Sequence, residues 1–484
     1  LRRDARHPLA PVVLALAHRA RGEEEAASAV LRQAMREDSM NNLVRWLGGV
    51  DEAHFLAGMH SAPDQTALDM AFDLESMGGG QLAVRLLEQV GETHGHTVMT
   101  LYTLAYLKDV LGMDCAKEIA AAGCAEVGDA YPSRLGEMRV LEAMHRRGEK
   151  RTSFLLGCLL YDKRQYARAA ELFEESIRLE PDSYMAYRSL AIACFTHLHR
   201  REEALRLMET ARRLHCSPQI LYESAVLMDL MGESPAAKIA LLEPYAAAFH
   251  RDDLFVELAK AYNQNCQPEK ALELLMSHRF VACEGGEHAI ADQYMYAHFQ
   301  LGLAGLRAGD PEGAYRLLQS ALTLPESLGA GIWNRCKYVP YWFHMARCLE
   351  RMGKAAEAQA IYREILAIDI DFFSNMHLRE LPYYQALSAE ALGMQQRAWN
   401  LMARAQREWT ASLQRKDSGF FATTPFFVSF AQEPALARRS YYLYLLGLVR
   451  LYEGKREQAA QMFRESYSLN SDNLFCHYYA FLYS

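Results

Sequence analysis

No stretch of the sequence gathers Lys and Arg without acidic neighbours: 52 basic residues stand against 60 acidic ones, for a formal charge of -8. A phosphate-backbone partner needs a basic patch of its own, so no nucleic-acid partner is expected. Cysteine is scarce, ten in 484 residues, and no pair stands as C-x-x-C. A disulfide scaffold is thereby unexpected, and Cys158 and Cys194, inside apolar helical patterns, read as small buried hydrophobes. Apolar runs long enough to span a bilayer, 18 or more residues, are missing, so no membrane partner is expected. The motifs G-x-x-x-x-G-K-[ST], strand-linked G-x-G-x-x-G, H-E-x-x-H and G-x-S-x-G are missing too. They would have named a nucleotide, a metal or a hydrolytic serine; no catalytic residue, metal or cofactor is assigned. Alternating β patterns are also lacking.

What the chain has in quantity is apolar helix. Hydrophobic residues make up 51% and charged residues 23%, a globular balance that argues against disorder. Residues 150–183 read KRTSFLLGCLLYDKRQYARAAELFEESIRLEPDS. They fit the frame of roughly 34 residues of a tetratricopeptide repeat. Gly157 on a first helix allows close approach of the second, Ala169 does the same from the other side, Phe173 fills the gap, and Pro181 stops the second helix. The small second-helix residue recurs at Ala27, Ala83, Ala116, Ala204, Ala237, Ala271, Ala314, Ala358, Ala398 and Ala459, with weaker frames at Ala116 and Ala237. Gly22, Gly232, Gly309, Gly353, Gly393 and Gly454 punctuate the turns. The spacing predicts an all-α, right-handed solenoid of about eleven antiparallel helix pairs with irregular inserted loops. Divergent helical repeats are expected over 1–149 and a tetratricopeptide array over 150–484, with insertions at 277–295, 324–342 and 416–437.

The segments YPSRLGEMRVLE (131–142), LLGCLLYDKRQYARAAELFEESIRLEPD (155–182), SHRFVACEGGEH (277–288) and ALTLPESLGAG (321–331) carry a closer likeness. Together they resemble the repeat half of a bacterial family that joins an N-terminal galactose-mutarotase-like β-sandwich of uncharacterised function to a C-terminal tetratricopeptide array. The resemblance covers most of 131–484 and, more weakly, 1–130. It implies a carbohydrate-related setting through the sandwich, a fold-level analogy that assigns no residue of the array a role. The chain opens at Leu1 rather than methionine, and the expectation is that it is one part of a longer, cytoplasmic protein.

Candidate sites are few. His94-x-His96 and His197-x-His199 have the spacing of paired ligands but no supporting cysteine or carboxylate framework, so surface residues explain them better. Arg279, Glu284, Glu287 and His288 surround paired glycines and suit a polar ligand; the competing reading is a capping and packing loop. The aromatic group Trp333, Tyr338, Tyr341, Trp342 and Phe343, and Phe420, Phe421, Phe426 and Phe427 in FFATTPFFVSF, suit a sugar, a partner protein or an internal seam. Lys260, Asn263 and Arg347 fall on first helices and are candidate groove contacts or solvated surface. The repeat positions that clamp a chaperone's terminal carboxylate hold Phe154 and Cys158, so that partner is not expected. The expected function is a non-catalytic protein-interaction or oligomerisation scaffold, its partner a protein, its own upstream domain or a second copy. Two alternatives stand: part of a sugar-processing enzyme whose catalytic sandwich lies outside this chain, and a free-standing peptide receptor. A continuous open groove favours the receptor; a filled groove counts against it.

Overall fold

The computed structural model describes residues 7–48, 52–59, 61–128, 130, 132–282, 288–331, 335–369, 378–415, 430 and 433–483. The chain divides into two compact units, Leu1–Leu198 and His199–Ser484. The boundary expected at 149/150 rests on repeat regularity, a different property from this compactness. The first unit holds α1 (Ala10–Ala20), α2 (Glu24–Glu37), α3 (Asn42–Leu47), α4 (Glu52–Ala57), α5 (Pro63–Ser76) and α6 (Gly80–His94). It continues with α7 (Val98–Val110), α8 (Ala116–Cys124), α9 (Leu135–Arg146), α10 (Arg151–Asp162), α11 (Tyr166–Leu179) and α12 (Tyr184–Thr196). The second begins with α13 (Arg201–Leu214), α14 (Pro218–Met231), α15 (Pro235–Leu242), α16 (Asp252–Gln264), α17 (Pro268–Met276), α18 (Ala289–Arg307) and α19 (Pro311–Ser320). Then follow α20 (Val339–Arg351), α21 (Ala355–Leu366), α22 (Leu381–Ala391), α23 (Gln395–Gln414), α24 (Pro434–Tyr452), α25 (Arg456–Leu469) and the short α26 (Leu474–His477). No strand occurs among the described residues. Within each unit successive helices pack as antiparallel pairs, so the fold is an all-α repeat array.

The marker alanines explain the pairing. Ala27, Ala83, Ala169, Ala204, Ala271, Ala314, Ala358, Ala398 and Ala459 are each the fourth residue of their helix, and all are buried. A second register lies sixteen residues earlier than a bulky partner. A Cβ on Gly157 would stand 2.7 Å from the Phe173 ring, one on Gly302 2.9 Å from Leu318, and one on Gly447 2.6 Å from Phe463. These contacts leave no room for a methyl group, and the close approach of the two helices depends on that. The turn between paired helices requires left-handed backbone. Gly353 and Gly454 adopt it without strain, at φ 75° and 77°, but Arg164 and Cys266 take it too, at φ 61° and 55°.

Two frames shift from the predicted register. Ala116 is the first residue of α8 and exposed, and the fourth position is held by Ile119. In α15 the fourth residue is Lys238, only 1% exposed, with Ala237 displaced to half-buried. A lysine in a position reserved for a small apolar residue is tolerated only where its charge is paired, and that pairing belongs to the site below.

The loop expectations fall partly into helix. Residues 289–295 open α18 and 339–342 open α20. Between them the HRF and PESLG segments meet: Phe280 N donates to Ser327 O at 2.8 Å, and Gly329 (φ 58°) lies so close under Phe280 O that a Cβ would stand 2.6 Å away.

Candidate functional site: the inner face of the second unit

After α25 the chain turns at Asn470–Asn473 and runs back over the first helices of its own unit. Asn473 caps α26, its Oδ1 accepting from Cys476 N at 2.9 Å, and Tyr478–Leu482 continues as a π-helical turn. Phe475 packs edge-on to Phe299 at 5.3 Å and to Tyr341 at 6.4 Å. Tyr478 meets Phe299 at 5.2 Å, and Tyr479 stacks on Phe463 at 5.2 Å. Cys476, His477, Tyr478 and Tyr479 are all buried. Each large apolar side chain so covered contributes about 1.5–3 kcal/mol, enough for this segment to be an integral layer of the unit.

Polar ties fix its register. His477 Nε2 pairs with Gln264 O at 2.9 Å and Nδ1 with Tyr296 OH at 2.8 Å. The carbonyl can only accept, so Nε2 carries the proton and Nδ1 accepts from the tyrosine. Burial holds the His477 pKa down at about 4, which keeps this neutral tautomer in place. Gln264 Nε2 donates to Ser471 O at 2.8 Å, and Arg307 donates to Leu482 O.

A further tie is ionic. Lys260 Nζ stands 2.5 Å from Asp472 Oδ1 and 2.7 Å from Asp229 Oδ2. Lys238 Nζ reaches the same Asp229 oxygen at 2.7 Å and Glu257 Oε2 at 2.9 Å. Two lysines and three carboxylates thus join α14, α15 and α16 to the C-terminal segment. Burial alone would raise the Glu257 carboxyl, but Lys238 and Lys260 overcome it and hold the group at about 2.

Between the first helices and this segment remains a cavity of about 560 Å³. Glu257 and Lys260 of α16, Asp292 and Tyr296 of α18, Lys337, Tyr341 of α20, Glu380, Tyr441 of α24, and Asp472 to Phe475 line it. Lys337 is paired with Asp292 at 2.9 Å. Glu380, immediately before α22, is 4% exposed and accepts from Tyr441 OH at 3.0 Å. Burial raises its pKa.

The residues singled out from sequence lie in different places. Lys260 lines the cavity. Asn263 is fully buried and ties α16 to α18, Nδ2 donating to Gln293 O at 3.0 Å. Arg347 is exposed on α20, paired with Glu350 at 2.9 Å. Arg279 is exposed and 3.4 Å from Glu326, while His288 is half-buried at the start of α18. Glu284, Glu287, Trp333, Phe420, Phe421, Phe426 and Phe427 lie outside the described residues. Tyr341 lies under Phe475, with Trp342 and Phe343 at the edge of the same core. His197 stacks on Tyr166 at 3.5 Å, and no three of His, Cys, Asp and Glu converge as metal ligands among the described residues. No described helix is long and apolar enough to cross a membrane. Sequence reasoning missed Lys238, Glu380 and Asp472; only Lys238 leaves a signal, as the charged residue in the apolar run PAAKIALL.

Two tetratricopeptide-repeat family models match, one over residues 151–183 and the other over 341–368. Tetratricopeptide repeats are part of this chain. Both matches fall on pairs described above, α10 with α11 and α20 with α21. Among solved structures the chain is similar to YrrB, a tetratricopeptide protein with an unusual peptide-binding site, at 14% identity and a TM-score of 0.30, covering 38% of this chain and 90% of that one. It is also similar to yeast Tom70, at 11% identity and a TM-score of 0.30, covering 99% and 95%. A tetratricopeptide repeat protein from Parabacteroides merdae matches at 16% identity and a TM-score of 0.27, covering 60% and 98%.

Proposed function

We propose that the chain is a non-catalytic protein-interaction scaffold whose second unit is a self-braced platform. The observation that supports this best is the C-terminal segment: residues 471–482 lie on the first helices and are tied there by Lys260, Gln264 and Tyr296. A repeat unit that fills its inner face with its own chain has its outer faces left for a protein partner. Trp399 on α23, 67% exposed, and Met394 just before that helix are exposed apolar groups. The same filling counts against a peptide receptor that would use an open groove along this unit. Cross-linking in the source cells, read by mass spectrometry together with light scattering of the purified chain, tests the reading. The expected result is inter-protein links on outer helix faces that diminish in Trp399→Glu. Only intramolecular links and a monomeric mass would refute it. Links between two copies would make the partner a second copy of this chain.

A carbohydrate-related setting belongs to the same proposal and rests on the resemblance of the 131–142, 277–288 and 321–331 segments. On that reading the array braces a mutarotase-like sandwich, and any sugar chemistry resides there. Sugar binding that appears only when such a domain is joined to the chain supports it, and sugar binding by this chain alone contradicts it.

A further inference from the structure

The cavity of the second unit holds more negative than positive charge. Asp229, Glu257 and Asp472 share Lys238 and Lys260, and Asp292 takes Lys337. Glu380 has no ammonium or guanidinium of the described residues within ion-pair distance, although it is 96% buried by its 4% exposure. Its Oε2 accepts from Tyr441 at 3.0 Å, and the Tyr444 hydroxyl and the Arg379 charge also favour the carboxylate, but burial outweighs them. Arg379, its neighbour in sequence, is turned to the rings of Tyr441 and Tyr442, at 5.2 and 5.8 Å from their centroids. A buried carboxylate without a cation is costly unless something supplies the charge. A second unpartnered group lines the same cavity: Asn473 Nδ2 has no acceptor, while its Oδ1 is committed to Cys476 N and so fixes which amide atom is the nitrogen.

We propose that this cavity binds a cationic group, a protonated amine or a guanidinium, against the Glu380 carboxylate, with the aromatic walls of Tyr296, Tyr341 and Tyr441 around its apolar stem. The geometry gives the cation a charge-assisted hydrogen bond and ring faces to stack on, and Asn473 Nδ2 offers a donor to a carbonyl beside it. The cation has two sources, a free small amine or a Lys or Arg side chain of a polypeptide. This inference is independent of the outer-face scaffold reading.

Titration calorimetry with three probes tests it: spermidine, arginine amide, and a terminally blocked Ala-Arg-Ala tripeptide. Saturable binding of at least one is expected, weakened roughly tenfold or more in Glu380→Gln and unchanged in Glu312→Gln, an exposed carboxylate on α19. Binding by spermidine or arginine amide without the tripeptide identifies a small ligand, and preference for the tripeptide identifies a polypeptide side chain. Because burial raises the Glu380 pKa, binding also releases a proton from the wild-type chain at pH values below that raised pKa. Repeating the titration in buffers of different ionisation enthalpy reads this release even if Glu380→Gln folds poorly. Failure of all three probes to saturate, equal affinity in a folded Glu380→Gln, or binding that releases no proton at any pH at which the chain stays folded would overturn the proposal.

Discussion

Replacing Gly157 with alanine adds one methyl group to α10 at its closest approach to α11. In a solvent-facing helix the change would stabilise by about 1 kcal/mol, because alanine loses less backbone entropy. Here the new Cβ would stand 2.7 and 2.8 Å from two carbons of the Phe173 ring, a side chain that is 1% exposed and already against Phe154 at 6.0 Å. The ring has nowhere to swing, so the helices must separate, and overpacking of this kind costs about 1–3 kcal/mol. The steric term wins, leaving a net loss of roughly 1–2 kcal/mol. Gly123→Ala in α8 is the control, since nothing lies within 4 Å of its Cβ. Both residues belong to the first unit, so calorimetry of the whole chain should show one transition moving in opposite directions. A change of 1 kcal/mol corresponds to about 2–4 °C in a unit of this size. In a Phe173→Leu background the cost of Gly157→Ala should shrink, which a double-mutant cycle reads directly. An unchanged or higher Tm for Gly157→Ala, or additivity with Phe173→Leu, would refute the close-packing argument.

Other outcomes follow from the same physics. Lys238→Met leaves Asp229, Glu257 and Asp472 to share Lys260 alone, and chemical denaturation should register a loss of about 3–5 kcal/mol in the second unit; a neutral result would mean the buried network is dispensable. Glu257 is held below its unfolded value, so its contribution is present above the unfolded carboxylate pKa and lost as pH falls toward about 2. Acid unfolding of the second unit should therefore be displaced upward in pH by Lys238→Met. His477 is buried neutral with a folded pKa of about 4, below the unfolded value of roughly 6.5, so the unfolded state binds the extra proton across that interval. Stability should drop as pH falls through it, and hydrogen exchange over 474–482 should quicken between neutral pH and pH ~4.5; pH-independent exchange there, after correction for intrinsic rates, would contradict a His477 buried in its neutral form. Arg164→Gly relieves a left-handed backbone at φ 61° and should stabilise the first unit by about 0.5–1 kcal/mol, measured by urea unfolding.

The repeat was legible because it is written in local rules. Nine marker alanines obey one steric demand, and Gly157 with Phe173 states the complementary one, so pairing could be read without tertiary information. The turns were only partly legible: a search for glycine finds Gly353 and Gly454 but passes over Arg164 and Cys266, which adopt the same backbone with non-glycine residues. The Ala237 frame was displaced because Lys238 takes the buried place, a choice made by Asp229 and Glu257 rather than by anything in its own helix. The candidate site was less legible still. Lys260 was singled out as a groove contact, yet its partner Asp472 lies 212 residues away, and FCHYYAFL reads in sequence as an ordinary apolar end. Glu380 carries no motif; its significance comes from burial beside Tyr441 without a cation.

Residues 474–482 cover the inner face of the second unit, and Cys476 reports on that docking most directly. Its thiol is fully buried and pushed up to about 12 by that burial, whereas Cys124 and Cys216 are exposed. Iodoacetamide labelling of the native chain, quantified peptide by peptide, should modify Cys124 and Cys216 while leaving Cys476 unmodified until the second unit is denatured. Labelling of Cys476 at the rate of Cys124 and Cys216 would show the segment undocked.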